Sequence, residues 1–119
     1  MQIKKVLPLF IVVCLLAVPL ANAQFLPTNL RITVVDGIGN VVKRAKVTLY
    51  KTKKDYDDDR NAVAGPEYTD AKGIVKFKKL APKAYYVRVV KGDRNNIGRG
   101  EKVDRLDEGK TNRVNIVID

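Results

Sequence analysis

From residue 30 to residue 118 the apolar side chains recur at every second position in short runs, and clusters of Asp, Gly and Asn punctuate them. Leu30, Ile32 and Val34 alternate with Arg31, Thr33 and Val35. Val47 and Leu49 alternate with Thr48 and Tyr50, and Tyr85, Val87 and Val89 share one side of a longer run that Gly92 ends. A period of two puts such residues on one face of a strand, and no 3.6-residue period competes with it. The segments 36–40, 70–73 and 107–110 carry Asp with Gly or Asn, residues that accept left-handed backbone or bond their own neighbouring amides, so each is expected to turn the chain. Val75 and Phe77, then Val114, Ile116 and Ile118, complete the inward set, Leu80 plugs one end of the core, and residues 102–106 read as a short edge strand. The expected fold class is all-β, a single Greek-key β-sandwich of about seven strands.

Two stretches break the alternation. Residues 51–66 are polar and form the longest expected loop, and residues 93–100 form a second. Loops of this length in compact domains are often functional, which makes these two the expected contact surfaces.

Residues 1–23 have the three parts of a secretory signal peptide: Lys4 and Lys5, an apolar run over 6–16, and a small-residue cleavage site at Ala21-Asn22-Ala23. Pro8 and Pro19 interrupt the run, which falls short of the ~20 residues that span a bilayer. The expectation is export to the periplasm or cell surface, one domain over residues 24–119, and no stable membrane insertion after cleavage. Cys14 lies inside this leader, and Val13 stands where lipoprotein processing wants a small residue, so Cys14 reads as one more apolar residue. The chain after cleavage then has no thiol and cannot form a disulfide, which leaves packing to stabilise it.

The formal charge of +10 loses Lys4 and Lys5 with the leader and becomes +8, a surplus that suits anionic partners. The basic residues are scattered rather than gathered, and aromatic stacking platforms and a basic helix are missing, so nucleic acid is not an expected partner. The sequence contains no His, Ser or Trp, which excludes Ser–His and Cys–His nucleophiles and every His-based metal site. A carboxylate enzyme would need two acids held across a cleft, and a sandwich of this size has little room for one. The chain is therefore expected not to be an enzyme, with no cofactor and no catalytic or metal-binding set.

Two local constellations remain. Asp55, Asp57 and Asp59 have the opening spacing of an EF-hand loop, but Arg60 stands where that loop needs Gly and Pro66 where it needs Glu. A calcium site of another kind competes with a solvated acidic stretch balanced by Lys51, Lys53, Lys54 and Arg60, and the second reading is preferred. Tyr56 and Tyr68, with Tyr50 or Tyr86, could stack on sugars or peptide side chains. Against this, Tyr85 is expected in the core with the other tyrosines covering strand surfaces. The outward apolar residues Val35, Val90 and Val117 are compatible with pairing of a partner strand at a sheet edge.

The pattern D-x-x-G-N-x-V-x-x-A-x-V-x-L over 36–49 and T-D-x-x-G-x-V-x-F over 69–77, followed by Leu80, Pro82 and Tyr85-Tyr86, resembles the carboxypeptidase regulatory-like domains. These are transthyretin-like (prealbumin-like) and Cna B-like sandwiches common in exported bacterial proteins, and the resemblance covers almost all of residues 24–119. Lys83 departs from the glycine often found after the proline. The resemblance implies a structural or binding attachment, not a catalyst. It also raises two specialised chemistries. A purine-catabolic hydrolase of the same fold needs histidines and a C-terminal Tyr-Arg-Gly-Ser, whereas this chain ends Ile116-Val117-Ile118-Asp119. A Lys–Asn isopeptide crosslink needs a buried lysine, and the first strand offers Arg31 between aliphatic residues. The expected function is a non-enzymatic binding or structural module of the bacterial envelope or extracellular space, with an envelope or extracellular protein or glycan as partner. The alternative is a calcium-dependent or carbohydrate-binding accessory domain at the cell surface.

Overall fold

The computed structural model describes residues 26–119, so the expected leader at 1–23 lies outside the described residues. The strands are β1 (Asn29–Asp36), β2 (Lys46–Tyr50), β3 (Ala64–Tyr68), β4 (Ile74–Phe77), β5 (Tyr85–Lys91), β6 (Arg94–Asn95), β7 (Lys102–Val103) and β8 (Thr111–Ile118). One helix, α1 (Lys53–Asp58), follows β2. They form a sandwich of two sheets. The three-stranded sheet runs β4-β1-β8, with β1 antiparallel to β4 and parallel to β8. The five-stranded sheet runs β3-β2-β5-β6, with β7 also pairing along β5.

Alternation does what the sequence implies. Leu30, Ile32 and Val34 from β1, with Val75, Phe77, Ile116 and Ile118 from its neighbours, face Val47, Leu49, Tyr85, Val87 and Val89 of the other sheet, and all are buried. Leu80 packs partly buried against this core. Burial of these side chains is the main force holding the sheets together, at ~1.5–3 kcal/mol for each large apolar side chain.

Four connections cross between the sheets, and one buried side chain pins two of them. Residues 41–45 carry the chain from β1 to β2, and residues 69–73 carry it from β3 to β4. The Thr69 hydroxyl donates to the Val42 carbonyl at 2.6 Å and accepts from the Ala45 amide at 2.8 Å. The Thr69 amide donates to the Ala45 carbonyl, and its own carbonyl accepts from the Arg44 amide. Asp70 then folds the turn by accepting from the amides of Lys72 and Ile74, and these two bonds hold its carboxyl below the usual range. Gly73 closes the turn at φ 75°, where an added Cβ would lie 2.9 Å from the Val34 carbonyl oxygen and from Val41 Cβ. The expected turn at 36–40 forms in the same way, with Asp36 Oδ1 accepting from the amides of Ile38 and Asn40.

The stretch 51–66 is not the loop expected of it. Its first half is α1, capped by Thr52, whose hydroxyl accepts from the Asp55 amide at 3.1 Å. Its last three residues already belong to β3. Pro66 is accommodated there because β3 is an edge strand, where a missing amide breaks no ladder. The stretch 93–100 likewise contains β6, and the expected strand over 102–106 shortens to β7.

Candidate functional site

Lys46, Thr48 and Tyr50 of β2 lie opposite Val90, Arg88 and Tyr86 of β5, all on the outward face of the five-stranded sheet. Outward residues of a surface sheet normally meet water, but here α1 and the segment after β6 cover Thr48 and Tyr50, while Lys46 stays exposed. Tyr56, the one apolar-bodied residue of α1, is fully buried between Tyr50 and Tyr86, with ring centroids 6.2 and 6.3 Å away. The ring of Tyr56 meets that of Tyr50 edge-on at 85°, a favoured aromatic geometry. Its hydroxyl donates to the Asn96 carbonyl, so the two stretches expected as separate contact loops are fastened to each other.

Asn96 is itself fully buried, and its side chain imitates a strand. Oδ1 accepts from the Val89 amide at 2.9 Å and Nδ2 donates to the Val87 carbonyl at 2.7 Å, which satisfies β5 beyond the end of β6. Arg88 donates from Nη1 to the Tyr56 carbonyl at 2.8 Å, holding the C-terminal end of α1 to the sheet. Asp59 closes the helix in the left-handed conformation, φ 52°, and accepts from the Tyr50 hydroxyl. Burial, then the bond to Asp59 and its charge, pushes the Tyr50 hydroxyl up to about 12. The Tyr56 hydroxyl is raised as well, chiefly by burial. Both phenols are therefore neutral donors at physiological pH, serving as structural latches rather than as acids.

The acidic stretch does not converge. Asp57 pairs with Lys53 at 2.8 Å and Asp58 with Lys54 at 3.6 Å, both one helical turn apart. Asp55 accepts from Asn61, and Asp59 from Tyr50. Helical spacing points Asp55, Asp57 and Asp59 in different directions, and among the described residues no three Asp or Glu gather in a geometry that could hold a metal ion. Of the four cations expected to balance the stretch, Lys53 and Lys54 form ion pairs, while among the described residues Lys51 and Arg60 form none.

The tyrosine reading needs correction. Tyr85 is in the core as expected, but Tyr50 and Tyr56 are fully buried rather than surface-covering, and Tyr86 is half-buried beside them. Tyr68 stands apart on β3 opposite Lys46, 60% exposed. The less favoured grouping of Tyr56 with Tyr68 does not form, because the helix turns Tyr56 onto the sheet while Tyr68 stays exposed on β3. The three outward valines also separate. Val35 and Val117 are neighbours across β1 and β8, while Val90 lies on the opposite sheet. All lysines among the described residues are exposed, and the inward positions of β1 are Leu30, Ile32 and Val34, so the crosslink chemistry has no buried amine.

A concavity of about 580 Å³ lies elsewhere, at the open side of the sandwich between β8 and the segment 101–107. Val103, Leu106, Val114 and Ile116 form its apolar floor. At one end Asn112 donates to the carbonyls of Asn29 and Asp107 and accepts from the Asp107 amide. Farther along β8, Arg99 donates to the Val117 carbonyl at 3.0 Å and pairs with Asp119.

No family model matches the chain, and no curated protein matches it. Solved structures do. The major pilin subunit of Bacillus cereus, BcpA, superposes on 78% of the chain with TM-score 0.51 and 15% identity. The Bacillus anthracis TIE protein superposes on 78% with TM-score 0.53 and 21% identity. The fold is thus a β-sandwich of the prealbumin-like kind found in these proteins. The chain spans only 30% and 17% of their respective lengths.

Proposed function

We propose that this chain is a non-enzymatic, exported module that contributes a rigid sandwich to a bacterial envelope or cell-surface assembly. The observation that carries the reading is the likeness of the whole described sandwich to one part of a pilin subunit and one part of the TIE protein, proteins several times its length. A fold that makes up only part of longer chains suits a role in attachment better than one in turnover, although fold alone does not determine function.

The chemistry of the surface supports it. The acids of α1 are paired with lysines or bonded, and the two shifted phenols around the helix are locked neutral. Among the described residues no helix is long and apolar enough to cross a membrane. The charged side chains around α1 and β6, among them Lys53, Lys54, Arg94 and Arg99, remain exposed as contact points. Alanine replacement of these four should weaken co-fractionation with envelope material while leaving the melting temperature within a few degrees. Unchanged co-fractionation would remove this surface from the proposal.

A further inference from the structure

We infer that the free edge of β8 is a docking site for an extended peptide strand whose side chains alternate between apolar and acidic. This deepens the binding role proposed above and rests on it. Strand β8 is eight residues long and ends the three-stranded sheet. Within a strand, the amide and carbonyl of one residue point to the same side and those of the next to the other. The Val117 carbonyl meets Arg99 on the side away from β1, so the backbone groups of Arg113 and Asn115 point the same way. Among the described residues none of those groups has a partner beyond that one bond. Long unprotected edges template strand addition, and natural proteins usually blunt them.

The edge opens on the 580 Å³ groove, and the two faces of an added strand would meet different chemistry. Side chains turned inward would rest on Val103, Leu106, Val114 and Ile116. Side chains turned outward would extend the outer face of the sheet, where Lys76, Arg31 and Arg113 stand directly abreast on three adjacent strands. Like charges abreast on a sheet repel, and among the described residues none of the three has an ion-pair partner. None of the outward residues of β1, β4 or β8 is acidic. A carboxylate opposite Arg113 would complete the row. A second copy of this chain fits less well, since pairing β8 with β8 would put two basic rows into one sheet and supply no acid.

The test is amide hydrogen exchange by NMR on the exported chain with a capped eight-residue peptide of alternating Val and Glu. The amides of Arg113, Asn115 and Val117 should gain at least tenfold protection, while those of Val114 and Ile116, already turned to β1, should change little. A Val–Lys peptide, or the Arg113→Glu variant with the Val–Glu peptide, should bind at least tenfold more weakly. That variant places an acid beside Arg31, so it should keep or raise the melting temperature and its loss of binding would not be unfolding. Absent protection at millimolar peptide, outward amides already protected in the peptide-free chain, equal binding of both peptides, or dimerisation through β8 in sedimentation would each overturn the inference. Any of these would leave export, and assembly through another surface, untouched.

Discussion

Replacing Asn96 with Ala should be among the most damaging single changes available outside the hydrophobic core. The Asn96 side chain is fully buried and bonds both the Val89 amide and the Val87 carbonyl of the central strand β5. Alanine keeps the backbone bonds but leaves those two groups without their partners. An unsatisfied buried backbone group costs ~1–3 kcal/mol, so two, partly relieved by entering water, give a loss of about 3 kcal/mol. For a domain of this size a loss of 1 kcal/mol lowers the midpoint by roughly 4–8 °C, which scales to about 12–24 °C. Urea unfolding followed by circular dichroism measures the loss directly, and an unchanged slope with a lower midpoint would place it in the native state. Tyr56→Phe removes only the bond to the Asn96 carbonyl and should cost about 1 kcal/mol. Because the two residues touch, the double variant should lose less than the sum. A loss below about 0.5 kcal/mol for Asn96→Ala would refute the strand-mimic account, since that is the ordinary range of surface substitutions.

Three further outcomes follow from the same structure. Gly73→Ala should destabilise by about 2–4 kcal/mol in urea, because alanine must adopt φ 75° against backbone only 2.9 Å away. Alkaline titration should reveal the buried phenols: Tyr50 is raised to about 12 from an ordinary 10, so its stability contribution is intact below pH 10 and is lost as pH climbs towards 12. Absorbance of the phenolate should show delayed ionisation, and Tyr50→Phe should flatten that part of the stability profile. Calcium at millimolar concentration should leave the melting temperature unchanged, because Asp55, Asp57 and Asp59 diverge; a rise would mean that they regroup around the ion.

The sandwich was legible because its strands obey a strict period of two and its turns use Asp bonded to following amides, both local signals. Ala45, Thr69 and Gly73 sit at the crossings, where the resemblance also lay. Helix α1 escaped because six residues cannot display a 3.6-residue period and only Tyr56 is apolar. Its traces were nevertheless present: Thr52 as a cap, and Lys53–Asp57 and Lys54–Asp58 at the i,i+4 spacing that stabilises helices. Composition shows only that acids and lysines lie near one another in this stretch, and the specific pairs appear once the helix is formed. Asn96 was invisible, since a polar residue among polar neighbours gives no hint of burial until the tertiary fold brings β5 beside it. The basic row of Lys76, Arg31 and Arg113 was equally hidden, because only the register of three strands distant in sequence places them abreast. The open groove beside β8 belongs to the same class of long-range consequence.

The reading of the chain as an exported module is tested most directly by one measurement, the intact mass of the protein recovered from the envelope fraction of cells expressing it with residues 1–23 in place. A species corresponding to residues 24–119, found in that fraction within a larger assembly, is the predicted result. A full-length species confined to the cytoplasm would contradict the account.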